Sequence, residues 1–101
     1  EVIREEIVKL NPSVIIEGGA RGADKIAREI AIELEIDVME YPAEWDKYGE
    51  GAGPIRNQQM LDEAYPNLVL AFPLPDSRGT WDMIRRARAA GIEVKIIENS
   101  P

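Results

Sequence analysis

The residues best suited to chemistry in this chain lie in one glycine-rich stretch, residues 18–24, which reads GGARGAD. The apolar run 14–16 precedes it and apolar residues at helical spacing follow it, so the glycines are predicted at a strand-to-helix turn. Glycine lets a ligand approach the main chain, and the start of a helix offers unpaired N–H groups and a partial positive charge. Such a turn is typical of a phosphate site. The ligand-binding residues predicted here are Gly18, Gly19, Arg21, Gly22 and Lys25. In the alternative interpretation, the glycines serve only the packing of a tight turn.

A second polar turn, residues 73–80 (PLPDSRGT), follows the apolar run 68–72 and precedes another helical pattern. Its Arg78, Gly79 and Thr80 are predicted to bind the same ligand, because both turns place helix N–H groups after a strand. We expect phosphate to bind where the helices predicted at 23–35 and 80–90 begin, held by the backbone N–H groups of residues 19–23 and 79–81.

Three further ligand-binding residues are predicted between the two turns. Arg56 and Asn57 belong to the first turn of a helix that opens with Gly53-Pro54. A basic residue at that end of a helix is unfavourable for the dipole and indicates a nearby anion, although a salt bridge would also explain it. Trp45, in the long loop 42–53, could cover a base or sugar, or it could pack over the core as a lid.

Composition restricts the chemistry further. The 101 residues are 45% apolar and 31% charged, which is typical of one globular domain, residues 1–101. A net charge of −7 argues against duplex nucleic acid as a partner, and no apolar run is long enough for a membrane span. Cys and His are absent, so no disulfide, Ser-His-Asp triad or ordinary zinc site is predicted, and a cytoplasmic location is expected. A Mg²⁺ ion held by Asp or Glu stays open as a cofactor.

The elements that position these residues alternate between helix and strand. The predicted helices are 1–10, 23–35, 54–64 and 80–90, and the predicted strands are 14–17, 36–41, 68–72 and 93–97. This alternation predicts an α/β fold with a parallel sheet and helices on both faces. The loops 18–24, 42–53 and 73–80 would then meet at the carboxyl ends of the strands, where such sheets bind ligands. The residues predicted to face inward in the last two helices are Ile55, Met60, Leu61, Ala64, Ile84 and Ala87.

The segments GGARGAD, PAEWDKYGEGAGPIRN and AFPLPDSRGTWDM, in this order and spacing, resemble the small SLOG domains of the YspA/CpYpsA-related kind found in bacteria and phages. The wider superfamily includes the Smf/DprA proteins, the Lonely Guy phosphoribohydrolases and the molybdenum-cofactor carrier proteins. The resemblance covers roughly residues 2–98 and implies a Rossmann-like fold that binds nucleotides or nucleotide-derived ligands through two glycine turns. Domains of this kind usually begin with one more strand, so we expect that the N-terminal strand is missing from this chain.

The chain departs from the Lonely Guy enzymes at the second turn. Asp76-Ser77-Arg78 stands where those enzymes carry a double glycine, and Met83 stands where they carry the glutamate implicated in cleaving the N-glycosidic bond. The resemblance therefore favours a sensor or carrier for a nucleotide-like ligand. Hydrolysis of a nucleotide or phosphoribosyl compound is the alternative, with Asp24 and Asp82 as weak catalytic candidates, both predicted in first turns of helices.

Two other functions are weighed against these. Dinucleotide redox chemistry would use Glu40 as a ribose-binding acid, but the spacing of a dinucleotide fingerprint is absent. The second alternative is a domain that only binds protein partners, in which neither glycine turn holds a ligand. A chain of this size gains core by pairing, so a homo-oligomer is also predicted.

Overall fold

The computed structural model describes residues 2–74 and 76–98, and the chain divides into two compact units, Glu1–Pro42 and Ala43–Pro101. The elements are α1 (Val2–Leu10), β1 (Val14–Glu17), α2 (Ala23–Glu33), β2 (Asp37–Glu40), α3 (Trp45–Tyr48), α4 (Ala52–Gln59), β3 (Leu68–Ala71), α5 (Arg78–Ala89) and β4 (Glu93–Ile96). A 3₁₀ turn (Gly49–Gly51) precedes α4, and a π-helical turn (Met60–Ala64) follows it. Glu1 of the first predicted helix and Pro75 of the second turn lie outside the described residues.

The first unit is built on the parallel pair β1–β2. The register places Val14 beside Asp37 and Glu17 beside Glu40, so both strands end together. Ile30 and Ala31 of α2 are buried, as the helical spacing of apolar residues predicts. An ion pair between Arg4 and Glu33 links α1 to the end of α2.

The second unit is built on the parallel pair β3–β4. The register runs from Leu68 beside Glu93 to Ala71 beside Ile96. Helix α5 buries Ile84 and Ala87 as predicted, and Gly91, with φ of +76°, turns the chain from α5 toward β4. Leu61 of the π-helical turn is buried as well.

The described chain is therefore α/β with short parallel sheets. Pairing joins β1 to β2 and β3 to β4 in two separate ladders. Parallel pairing and the alternation of helices with strands are confirmed, whereas the single Rossmann-like sheet with helices on both faces stays a prediction. In the described part of the chain, no helix is both long and apolar enough to cross a membrane.

Several predicted boundaries in the second unit were wrong. The loop 42–53 contains α3 and the 3₁₀ turn, because residues 43–48 contain neither glycine nor proline and one helical turn forms there. Helix α4 begins at Ala52 rather than at Pro54, and α5 begins at Arg78 rather than at Thr80. Ile55 was predicted to face inward, but it is 45% exposed.

The buried residue Ile84 allows a test of the core of the second unit. Ile84 is 1% exposed, and Ile84→Ala is expected to lower the free energy of unfolding by about 2–5 kcal/mol, since it leaves a cavity. Ile55→Ala removes the same atoms from an exposed site of α4 and should change stability by only about 0.5 kcal/mol. Urea unfolding of both variants measures the difference, and equal losses would contradict this description of the core.

Candidate functional site

The first glycine turn follows β1 and leads directly into α2. Gly19 and Gly22 have φ values of +71° and +76°, in the left-handed region that favours glycine. An added Cβ at Gly22 would meet no atom within 4 Å. The backbone conformation therefore explains why glycine stands at position 22, and the space beside this residue is open.

The main-chain N–H groups of this turn donate to carboxylates of the chain itself. Those of Gly18 and Ala20 donate to Oδ2 of Asp24, at 3.0 and 3.3 Å. The N–H of Gly19 donates to Oε1 of Glu17 at 2.7 Å. The sequence assigned the N–H groups of residues 19–23 to phosphate, but those of Gly19 and Ala20 have intramolecular acceptors. Glu17 accepts from Gly19, and Asp24, in the first turn of α2, folds back onto the turn and accepts from Ala20.

A buried carboxyl lies at the end of β1. Glu17 is only 3% exposed, and its Oε2 has no hydrogen-bond donor among the described residues. Its neighbour in the register is Glu40, the last residue of β2. A Cβ added to Gly19 would lie 3.4 Å from Cδ of Glu40. The Glu40 side chain therefore occupies the space beside Gly19, where the sequence analysis predicted a ligand.

The surroundings of Glu17 change its titration. Burial raises the pKa of Glu17 most, the Gly19 N–H lowers it, and the hydrogen bond and charge of Glu40 together with the charge of Asp24 raise it, from 4.5 to about 7. When it is protonated, Glu17 donates to Glu40, and when it is ionised, its Oε2 has no donor. Near neutral pH, Glu17 is therefore protonated in part of the molecules and in that form donates to Glu40.

The cations of the first unit have different surroundings. Nη1 of Arg28 lies 3.7 Å from Oε1 of Glu40, in an ion pair whose side chains are 46% and 38% exposed. The predicted binding residues Arg21 and Lys25 are exposed and form no ion pair within residues 2–74 and 76–98. Their positive charges thus remain available to an anion at the start of α2.

A polar network joins α4 to α5 in the second unit. Asn57, 5% exposed, donates through Nδ2 to the Gly79 carbonyl at 3.1 Å and to Oδ2 of Asp82 at 3.0 Å. Nε of Arg86 donates to the same oxygen at 2.8 Å, and its Nη1 donates to Gln58. Asn57 was predicted to bind ligand, but its amide here fixes the start of α5 against α4.

Asp82 is a structural carboxylate in this network. Burial would raise its pKa, but the hydrogen bonds from Asn57 and Arg86 and the charges of Arg86 and Arg85 outweigh burial and lower the pKa. Asp82 was predicted in the first turn of its helix, but α5 begins at Arg78 and places it in the second turn. An ionised, hydrogen-bonded Asp82 is poorly suited to general acid catalysis.

Arg56 does not lie at the helix start that the sequence predicted. Because α4 begins at Ala52, Arg56 and Asn57 follow its first turn. Nε of Arg56 donates to Oδ1 of Asn57 at 3.0 Å. Arg56 thus contacts the side chain of its neighbour Asn57 within α4.

The start of α5 forms an open groove lined by Asp76, Arg78, Trp81 and Arg85. Arg78, Gly79 and Thr80 make up the first turn of α5, and an added Cβ at Gly79 would meet nothing within 4 Å. Arg78 is exposed and has no ion pair in the described part of the chain. The groove therefore combines guanidinium groups, helix N–H groups and the indole ring of Trp81. The sequence analysis did not include Trp81.

Trp45 is 58% exposed. Its Cη2 atom lies 3.5 Å from where a Cβ of Gly53 would stand, so the indole ring rests on the main chain at the start of α4. Trp45 therefore lies close to the start of α4 within its own unit.

The structure brings each half of the predicted site together within its own unit. Gly18, Gly19, Arg21, Gly22 and Lys25 share the first turn, while Arg56, Asn57, Gly79 and Asp82 meet between α4 and α5. Sequence reasoning gave no role to Glu17, although an acidic residue ending an apolar strand was a visible signal. Within residues 2–74 and 76–98, no three acidic side chains are placed to share a metal ion.

One relative supplies the comparison with known proteins. The chain is 40% identical over 86 residues to the Gene 61 protein of Mycobacterium phage D29, and the match covers 80% of this chain and 68% of that protein. The chain belongs to the Gene 61 protein family. No family model matches the chain, and no solved structure matches it at a significant level. The match to the Gene 61 protein does not test the SLOG resemblance, which stays a prediction.

The buried carboxyl of this Gene 61 family member predicts a pH dependence of stability. Glu17 binds its proton more tightly in the folded chain, so its contribution is fully present below pH 4.5 and is lost as the pH rises through about 7. The slope from this group is at most about 1.4 kcal/mol per pH unit. Glu17→Gln, which imitates the protonated side chain, should remove this component and be more stable than the parent at pH 8.

Urea unfolding at several pH values between 4.5 and 8 measures this effect as the difference between parent and variant. Glu29→Gln removes the same charge from an exposed position on α2 and should keep the pH dependence of the parent. Parallel pH profiles for the parent and Glu17→Gln would show that Glu17 titrates normally.

Proposed function

We propose that this protein binds a nucleotide or nucleotide-derived phosphate ligand at the carboxyl ends of its strands and acts as a sensor or carrier. The proposal includes what the SLOG resemblance implies: one Rossmann-like sheet in a single domain of residues 1–101. We also propose that the protein forms a homo-oligomer.

The observation that carries this proposal is the groove at the start of α5. The exposed cation Arg78 stands in the first turn, where the helix dipole disfavours positive charge. No carboxylate of the described residues forms an ion pair with it. A bound phosphate would be favoured by the guanidinium group and by the helix N–H groups, and Gly79 leaves room for it.

Other residues support binding of a larger molecule than phosphate. Trp81 lines the same groove, and its indole ring is suited to stacking on a base. In the first unit, Arg21 and Lys25 offer exposed positive charge beside an open glycine, Gly22. A nucleotide carries a phosphate, which guanidinium and ammonium groups bind, and a base, on which an indole ring can stack.

Replacement of the turn arginines tests the proposal. Arg78→Ala and Arg21→Ala should each weaken the binding of a nucleotide by about tenfold to a hundredfold, because each removes a charge-assisted hydrogen bond. Stability should change by only about 0.5 kcal/mol, since both side chains are exposed. Calorimetric titration with the ribonucleoside mono-, di- and triphosphates measures the affinities.

Arg88→Ala is the matched control for these variants. It removes the same charge from an exposed position near the other end of α5 and should bind like the parent. Equal affinity in all three variants would show that the glycine turns do not hold the ligand, and no binding of any nucleotide would refute the proposal.

One observation favours hydrolysis as a second candidate function. A carboxyl with a pKa of about 7 beside a second carboxyl is suited to general acid–base catalysis at neutral pH. Glu17 and Glu40 form such a pair, and Asp24 holds the turn next to them. Glu17 is thus a better candidate for an acid than Asp82.

Release of free base separates the two functions. If the protein cleaves N-glycosidic bonds, incubation with nucleoside monophosphates at pH 7 should release free base, and Glu17→Gln should release at least about a hundredfold less, the loss expected for a general acid. Chromatography of the reaction products measures the base. A parent protein that binds nucleotides and releases no base would support the sensor or carrier function alone.

A further inference from the structure

The groove at the start of α5 contains one carboxylate, Asp76, to which the proposed function gives no role. The groove has a volume of about 440 Å³, in the range of sites that bind small molecules, and its other charged side chains are Arg78 and Arg85. Asp76 is exposed, and its carboxylate accepts no hydrogen bond and forms no ion pair within residues 2–74 and 76–98. Two acceptor oxygens are therefore available in a groove whose other charges are positive.

The acids of the two glycine turns differ in what they contact. Asp24 folds back onto the first turn and accepts from two of its main-chain N–H groups, at 3.0 and 3.3 Å. In the second turn, the Ser77 hydroxyl accepts from the N–H of Leu74 and does not cap α5. The Asp76 carboxylate accepts from no N–H group of the described turn. Asp76 is thus the turn acid that remains available to a ligand.

We propose that Asp76 and Trp81 select a guanine base in the nucleotide-like ligand. This inference rests on the proposed function, since it names the base that the groove would recognise. Guanine presents two neighbouring N–H donors on one edge, at N1 and at the 2-amino group, and a carboxylate can accept such a pair with both of its oxygens. The indole ring of Trp81 offers a face for stacking, while Asp76 accepts from the edge of the base.

The hydrogen-bond pattern of the other bases fits a carboxylate less well. Adenine and cytosine place an acceptor nitrogen beside their amino group, and uracil places a carbonyl oxygen on each side of its single N–H. Each would bring a lone pair toward an oxygen of Asp76, which is unfavourable. Hypoxanthine keeps the N1–H of guanine but lacks the 2-amino group, so it forms one of the two bonds. Guanine therefore makes the best use of the Asp76 carboxylate.

The positive charges of the groove fit the rest of a guanine nucleotide. Arg78 and Arg85 are seven residues apart, which places them on one face of α5, about 10 Å apart along its axis. A phosphate at the first turn would meet Arg78 and the N–H groups of Gly79 and Thr80, which have no acceptor among the described residues. A cationic ligand would suit Asp76 but would be repelled by the two arginines. Guanine supplies donors without positive charge.

Nucleotides that differ only in the base test this inference. The probes are GMP, IMP and AMP, titrated into the full chain by calorimetry at pH 7. The parent should bind GMP about tenfold or more tightly than IMP, which lacks one donor to a charged acceptor, and should bind AMP more weakly still. Asp76→Asn should lose the preference for GMP over IMP. Asp37→Asn removes the same charge from an exposed position at the start of β2 and should keep the preference.

A change of base preference provides the second measurement. The amide of the Asp76→Asn variant can accept from N1–H and donate to a 2-oxo group, so this variant should bind xanthosine monophosphate more tightly than GMP, whereas the parent should prefer GMP. Equal affinity of the parent for GMP, IMP and AMP, or an unchanged preference in Asp76→Asn, would overturn this inference and leave the nucleotide function intact. No binding of any nucleotide would overturn both.

Discussion

The burial of the Glu17 carboxyl is the constraint on which the first unit depends. A carboxylate at the end of a buried strand is costly unless it is neutralised or bonded. Gly19 donates to one of its oxygens, and in its protonated form the Glu17 carboxyl donates to Glu40. Gly19 has a φ of +71°, which favours glycine, and its N–H lies 2.7 Å from Oε1 of Glu17. The buried acid is thus held by the turn that follows its own strand.

The two units present opposite chemistry after their strands. The first unit gathers carboxylates around its glycine turn, while the second gathers guanidinium groups around the start of α5. In the second unit, Asp82 is bonded to Asn57 and Arg86, while Asp76 lines the groove beside the arginines.

Much of the fold could be predicted because local patterns determine it. The strand 14–17 and the buried Ile84 and Ala87 followed from periodicity alone. The roles of Asn57 and Asp24 could not be predicted, because each depends on which distant or folded-back group the side chain meets. The positions of the two turns in the chain were therefore predictable, whereas the assignment of their donors and acceptors required the three-dimensional structure, and a ligand site at these turns stays a prediction.

Asp24 has a consequence for selectivity between anions. Its carboxylate is tethered to the same turn whose N–H groups would attract an external anion, so it acts as an intramolecular competitor. A short tether corresponds to an effective concentration on the order of millimolar. Free inorganic anions that bind weakly would rarely displace it. Under the proposed function, only a ligand anchored by additional groups would compete, and Asp24 would favour larger phosphorylated molecules over small inorganic anions.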